Sequence, residues 1–361
     1  MFPRWYGKWV SENPKDIFGP AILIGALGGA IFVAVMLITW GQPYATASVQ
    51  TGPRGTGMSV TKFKSEMATP DPTIEDYLDL NEAPYEVEPD TPLAKDVYEN
   101  VQVLGDVDEE NFNRIMLAMT NWVSPDQGCA YCHGEEGNFA SDDLYTKVVS
   151  RRMIQMTQNI NENWGEHVQE VGVNCYTCHR GQNVPSEIWF DVMPANEVME
   201  GWGAVQNRVT PLSQSTSLPS DALQKLLVDG ELIAVHDLEP RVDNEGTATW
   251  QDTERTYSLM NYFSNSLNVN CNFCHNSRAF YDFDQVTPQW ATAQIGIGMV
   301  QEMNDEYLIP LGPTYPEHRL GPINGDAPKA ACATCHKGYN KPLQGTPMLV
   351  DWPELATVSG E

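Results

Sequence analysis

The 361 residues contain eight cysteines, and all eight fall into one five-residue pattern: Cys129-Ala130-Tyr131-Cys132-His133, Cys175-Tyr176-Thr177-Cys178-His179, Cys271-Asn272-Phe273-Cys274-His275 and Cys332-Ala333-Thr334-Cys335-His336. None is left over. Two thiols at this spacing can bond the two vinyl groups of one porphyrin, while the adjacent imidazole reaches the iron; this is the attachment signature of a c-type haem. Disulfides would suit an exported chain but give no reason for a histidine after every second cysteine. Structural zinc pairs two CxxC units per metal and has no use for four identical histidine positions. A thioredoxin-like pair would occur once, in a βαβ setting. Four motifs that consume every cysteine predict four covalently bound haem c groups, with His133, His179, His275 and His336 on the irons.

Each iron needs a second axial ligand if its task is electron transfer, whereas an open position points to substrate chemistry. The elements ahead of the motifs supply candidates. Glu109 to Trp122 reads as a helix with Phe112, Ile115, Met116 and Met119 on one face. Ser141 reads as the N-cap of a long helix, acidic at its start, running to about Trp164 and carrying Met153 and Met156. Thr253 to Leu267 is predicted helical with Met260 as its only methionine, and Pro288 to Asn304, with Thr287 as N-cap, carries Met299 and Met303. Methionines on amphipathic faces also serve as core filler. The histidines outside the motifs are His167, His236 and His318, and the residues alone do not choose among these and the two methionines for the fourth iron.

The motifs also repeat in pairs. Cys175 to Pro185 reads CYTCHRGQNVP and Cys332 to Pro342 reads CATCHKGYNKP, while Met116 to Trp122 and Met260 to Phe263 each place a methionine and then an aromatic before the first and third motifs. The chain reads as a duplicated two-haem unit, with copies at about 106–190 and 250–345 and a connector at 195–249. The fold class expected is mainly α: short helices and loops packed on flat macrocycles, in pseudo-twofold related halves. Twenty prolines between Arg54 and Glu361, with few long apolar runs, do not read as a sheet protein.

Residues 1–53 form a separate module, because no charged residue occurs between Asp16 and Arg54 and the apolar run from Ile17 to Trp40 covers 24 positions. That length spans a bilayer. Arg4, Lys8 and Lys15 on its amino side, with Trp5, Tyr6, Trp9 and Trp40 as interfacial aromatics, predict a cytoplasmic amino end and an external domain at 54–361. A cleaved signal peptide ending at Ala45-Thr46-Ala47 is the competing reading, and the long apolar run favours a retained anchor. With 21 Lys and Arg against 48 Asp and Glu the formal charge is −27, which excludes nucleic acid as a natural partner and favours a small basic protein.

The four motifs, their two-by-two repeat and the placement of the methionines and one extra histidine resemble the tetrahaem cytochrome c subunit of purple-bacterial photosynthetic reaction centres. The resemblance implies an electron carrier rather than an enzyme. It would pass electrons from a soluble basic cytochrome c or a high-potential iron–sulfur protein to the photo-oxidised bacteriochlorophyll pair. It also implies L, M and H type core subunits and a light-harvesting complex as neighbours, and a single-pass place in the bacterial inner membrane with the carboxyl-terminal domain in the periplasm. In that family three haems have histidine and methionine ligands and one has two histidines. Carried onto this chain, the ligand pairs are Met116 with His133, Met153 with His179, Met260 with His275, and His167 with His336. Met119, Met156, Met299 and Met303 then revert to packing, and the bis-histidine haem is a low-potential one. By similarity the third haem lies nearest the pigment pair and the first is distal, where Asp106, Asp108, Glu109, Glu110, Glu135 and Glu136 would receive a basic donor.

Several relatives are lipoproteins held by an amino-terminal cysteine, and this chain has none outside its motifs. The apolar helix must then supply the attachment. Two rivals differ in chemistry. A membrane-anchored tetrahaem quinol dehydrogenase would be shorter and richer in histidine, and a multihaem reductase would need an open iron and clustered His, Lys or Arg. Arg151 and Arg152 read instead as partners for haem propionates.

Overall fold

The computed structural model describes residues 4–14, 18–39, 46–50, 59–63, 73–135, 137–193, 202–208, 210, 212, 215, 217–235, 248–280 and 282–358. Its elements in chain order are α1 (Arg4–Glu12), α2 (Phe18–Thr39), β1 (Thr46–Gln50), β2 (Ser59–Phe63), α3 (Thr73–Asp79), α4 (Ala94–Val97), α5 (Glu109–Val123), α6 (Ala130–His133), α7 (Tyr145–Asn163), α8 (Gly165–Val168), α9 (Cys175–His179), α10 (Trp202–Val205), α11 (Ala222–Leu227), α12 (Trp250–Leu267), α13 (Pro288–Glu302) and α14 (Cys332–His336). The architecture is mainly helical, as the sequence predicts, with β1 and β2 paired in one two-stranded ladder. His236, Glu136, Ala45 and part of the connector fall outside the described residues.

The chain divides into two units, Met1–Val49 with Thr61–Thr69, and Gln50–Val60 with Pro70–Glu361. In the first, the 22 residues of α2 extend about 33 Å at 1.5 Å per residue, enough to cross a bilayer. Ile22, Leu27, Phe32 and Leu37 are all exposed. By length and composition, Ile22–Thr39 of this helix is a candidate membrane span.

In the second unit, each long helix starts and stops for a local reason. The Asp108 carboxylate accepts the Asn111 N–H at 3.0 Å, and Glu109 and Glu110 in the first turn oppose the helix dipole, so α5 begins there. Asp108 is thus a buried cap, not part of an acidic docking surface. The hydroxyl of Thr249 and the carboxylate of Asp252 form a reciprocal capping box for α12, which ends at Asn268 in the left-handed region (φ 56°). Two predicted caps differ. The Ser141 hydroxyl donates to the Asp143 carboxylate at 2.7 Å and accepts the Asp143 N–H, closing a tight turn, so α7 starts later, at Tyr145, with no acidic residue in its first turn. Thr287 precedes Pro288 as expected, but its hydroxyl donates to the Phe273 carbonyl at 2.6 Å rather than accepting an α13 amide. Beyond Glu302 the helix widens into a π turn, Met303–Leu308.

Among the described residues, the buried apolar side chains form three clusters rather than one core. The first joins Ile115 and Trp122 of α5 to Ile154 of α7, Tyr176 of α9 and the carboxyl-terminal Met348, Trp352 and Leu355. The second joins Leu223, Leu226 and Leu227 of α11 to Leu259 and Tyr262 of α12 and Ile297 and Val300 of α13. The third holds Ile160, Met299, Met303 and Leu308, with Met153, Met156 and Trp164 against it. Between them lies the space described next.

Candidate haem-binding cavity

One continuous cavity of about 2510 Å³ runs through the second unit, its walls mainly apolar. A pocket for one small molecule occupies roughly 300–1,000 Å³, so this space is sized for several large groups. All eight motif cysteines and all four motif histidines line it, as do Met116, Met119, Met153, Met156, Met260, Met299, Met303, His167 and His318. The donor set suits porphyrin iron: thiols for vinyl groups, imidazole and thioether for the metal, and apolar walls for the ring.

The histidines are set for metal. Nδ1 lies against a backbone carbonyl in His179 (Gln182, 2.8 Å), His336 (Tyr339, 2.9 Å), His275 (Phe280, 3.2 Å) and His167 (Thr292, 2.9 Å). A carbonyl accepts only from a protonated Nδ1, which leaves Nε2 with its lone pair free for iron. Burial lowers the pKa of His133 and His167 and brings His179 and His336 down to about 4, which favours the neutral imidazole that a ligand requires. Burial likewise pushes the Cys132 and Cys274 thiols up to about 11 and those of Cys175 and Cys332 to about 12.

His167 and His336, far apart in sequence, meet edge-on with ring centres 6.2 Å apart and ring planes at 71°. Two imidazoles sharing one metal, each nitrogen about 2.0–2.1 Å from it, place their ring centres about 6 Å apart. His318 also reaches the cavity wall. Met116 and Met119 project from α5, Met153 and Met156 from α7, and Met260 from α12, all onto the wall.

The paired motifs share local geometry. In the second and fourth, the residue before the first cysteine donates its N–H to the motif threonine, Asn174 to Thr177 and Ala331 to Thr334, each at 3.0 Å. The helix then ends on a left-handed residue, Arg180 (φ 48°) or Lys337 (φ 47°), followed by Gly181 (φ 77°) or Gly338 (φ 84°). Only glycine adopts that second positive φ freely. Its amide docks on the end of the long helix that precedes the first or the third motif: Gly181 to the Trp122 carbonyl of α5 and Gly338 to the Ser266 carbonyl of α12, both at 2.8 Å. In the first and third motifs a downstream threonine hydroxyl caps the carbonyl of the third motif residue, Thr146 to Tyr131 and Thr287 to Phe273, both at 2.6 Å. An aromatic packs on the histidine in each, Phe139 on His133 and Phe280 on His275.

Exposure separates the pairs. Cys129 and Cys271 are exposed, whereas Cys175 is buried and Cys178 and Cys335, both half-buried, approach to 2.6 Å. Arg151 lines the cavity beside Asp142 (2.9 Å). Arg152, predicted with it, instead bonds the Glu306 carbonyl and lies 4.3 Å over the Tyr307 ring, away from the wall. Sequence reasoning missed Lys147, buried beneath the first motif and bonded to the Phe139 and Ser141 carbonyls. Nor did it mark Arg319, whose Nε donates to the Tyr145 hydroxyl at 3.2 Å beside Tyr315 on the wall.

Residues 41–356 match the family described as photosynthetic reaction centre cytochrome C subunit. Three proteins named photosynthetic reaction center cytochrome c subunit are similar over most of their length. That of Roseobacter denitrificans is 63% identical over 366 residues, covering 99% of this chain and 98% of the relative. That of Rubrivivax gelatinosus is 40% identical over 340 residues (93% and 90%), and that of Thermochromatium tepidum is 39% identical over 330 residues (91% and 80%). This agreement does not favour the quinol dehydrogenase alternative. The chain belongs to the photosynthetic reaction centre cytochrome c subunit family and is, accordingly, a membrane-associated electron carrier with covalently bound haem c, not an enzyme.

Proposed function

We propose that this chain receives electrons from a soluble periplasmic donor and delivers them, through four haem c groups, to the photo-oxidised bacteriochlorophyll pair of a reaction centre. The observation that carries the reading is the single cavity lined by all four motifs, with His167 opposite His336. When bound, the haems supply reversible one-electron chemistry. The chain's part is to fix them: Cys129 and Cys132, Cys175 and Cys178, Cys271 and Cys274, and Cys332 and Cys335 as thioether donors. The axial pairs proposed are His133 with Met116, His179 with Met153, His275 with Met260, and His336 with His167. Met119, Met156, Met299 and Met303 pack the walls.

The matched contacts of the second and fourth motifs, and of the first and third, support a duplicated two-haem unit with copies at about 106–190 and 250–345. The exposed first and third motifs would form the two ends of the electron path, and the interior second and fourth its middle. Around the third, Trp250, Tyr257, Phe280 and Phe283 are exposed aromatics suited to a protein face, here the reaction-centre core of L, M and H type subunits with its light-harvesting complex. Near the first, Asp106, Glu110 and Glu135 are exposed and, with the −27 charge, favour a basic cytochrome c or a high-potential iron–sulfur protein. Residues 1–53 would anchor the chain as one span, and 54–361 would stand in the periplasm.

The test is flash-induced absorbance at the haem α-bands in membranes at poised potentials, with the intact mass of the chain to count its haems. Haem oxidation within the lifetime of the oxidised pigment, and a mass corresponding to four haems, is the expected result. Four haems that light does not oxidise would overturn the role.

A further inference from the structure

We infer that Gly296 is the positioning residue for His167, and that the absence of a side chain at 296 keeps the fourth iron site bis-histidine. This deepens the His167–His336 pairing proposed above and rests on it. Gly296 lies inside α13, with no positive φ that would call for glycine. Glycine inside a helix is less stable than alanine, so the backbone gives no reason for it.

The reason is on the other side of the helix surface. A Cβ at 296 would stand 2.4 Å from His167 Cε1, 2.8 Å from Nδ1 and 3.1 Å from Nε2. The imidazole therefore occupies the volume that any other residue's side chain would take, flat on the helix backbone. From there its Nδ1–H donates at 2.9 Å to the carbonyl of Thr292, four residues earlier, the carbonyl that helix geometry also pairs with the Gly296 amide. One missing methyl thus fixes both the approach of the ring and the tautomer that frees Nε2. Gly298 extends the same close approach, since a Cβ there would meet the Trp164 ring at 3.0 and 3.2 Å.

The same face carries an alternative. Met299 and Met303 lie three and seven residues beyond Gly296, both buried and both on the cavity wall. With His167 displaced, a thioether from this face can serve as the replacement ligand. Exchange of an imidazole nitrogen for a thioether sulfur raises the potential of that iron.

The experiment compares the haem-loaded wild-type chain with Gly296→Ala by ferric EPR and redox titration. In the wild type, one bis-imidazole low-spin signal is expected, belonging to a low-potential haem. In Gly296→Ala that signal should be lost or reduced and its potential should shift upward, with the other three unmoved. Retention of signal and potential in Gly296→Ala would overturn the role of Gly296. Absence of the bis-imidazole signal from the wild type itself would instead overturn the His167–His336 pairing. Should Gly296→Ala fail to load its fourth haem, as read by intact mass, the double variant with His167→Ala decides. Recovery of that haem places the fault in the clash with His167, and continued loss overturns the inference.

Discussion

Removing the carboxylate of Glu354 should release the carboxyl-terminal segment from α5. The Arg114 side chain is fully buried, and its Nη2 donates to Glu354 at 2.7 Å, with Glu354 only 6% exposed. Its other donors reach the Glu82 carbonyl (2.7 Å), the Asp351 carbonyl (2.8 Å) and the Asn111 side chain (3.0 Å), and the guanidinium lies 4.1 Å over the Trp352 ring. None of these carries a countercharge. Glu354→Ala therefore leaves a cation buried without its anion, a change that costs about 3–5 kcal/mol, against about 0.2–1 for an exposed pair. At about 1.4 kcal/mol per factor of ten, that raises the opening constant of the segment by two to three and a half powers of ten. Amide hydrogen exchange at Met348, Trp352 and Leu355, whose N–H groups bond Val171, Leu349 and Trp352 carbonyls, reads that opening directly. Glu354→Gln keeps an acceptor oxygen and should fall between the alanine variant and wild type. Acceleration of less than tenfold in Glu354→Ala would refute the argument from burial. Met116 packs against the cluster that holds Trp352 and Leu355, so the same variant should loosen the first haem's proposed methionine ligand, seen as weakening of the charge-transfer band of methionine-ligated ferric haem.

Three further predictions bear on the cavity. Gly172→Ala should cost about 2–4 kcal/mol, lowering the denaturation midpoint, because a methyl there would sit at φ 62° and within 2.5 Å of Leu349 Cβ; an unchanged midpoint would contradict the packing of the carboxyl-terminal segment on the second motif. Thr146→Val and Thr287→Val each strip the hydroxyl from a motif carbonyl, at about 1–3 kcal/mol; similar losses by thermal denaturation would support the duplication, and a large disparity would count against it. The Arg151 guanidinium, then the Asn100 side chain, holds the Asp142 carboxyl well below the usual carboxylate range. A depressed folded pKa stabilises above the ordinary aspartate range and ceases to do so as pH falls through the depressed value. Acidification should therefore disturb the first haem's absorbance, and Asp142→Asn should remove that dependence on pH.

The helices and motifs were legible because their signals are local. Five residues define each attachment site, and the faces of α5, α7, α12 and α13 follow from the 3.6-residue period. What escaped was long-range. Asp108 reads as one more acidic residue until the fold buries it as a cap, and the Ser141 hydroxyl had a nearer partner in Asp143 than any helix amide. Arg151 and Arg152 are indistinguishable in sequence, yet adjacent positions on a helix point about 100° apart, and only one of them reaches the wall. His167 could be singled out by resemblance but not by spacing, because its partner lies 169 positions away and the glycine that admits it lies on a third element.

The paired motifs differ where their function would require it. In the proposed duplication, bonds made within one half recur in the other: Gly181 to Trp122 matches Gly338 to Ser266, and Thr146 to Tyr131 matches Thr287 to Phe273. The contacts that break the match join the halves. Trp189 and Lys329 exchange backbone hydrogen bonds, Cys178 meets Cys335, and His167 from the first half reaches across to His336 in the second. In the proposed duplication, a methionine ligand taken from a motif's own half gives the same kind of iron site in each copy. A ligand taken across the seam gives a different one. On the proposed ligand set, a single crossing imidazole, admitted by Gly296, would make one of four similar sites low in potential.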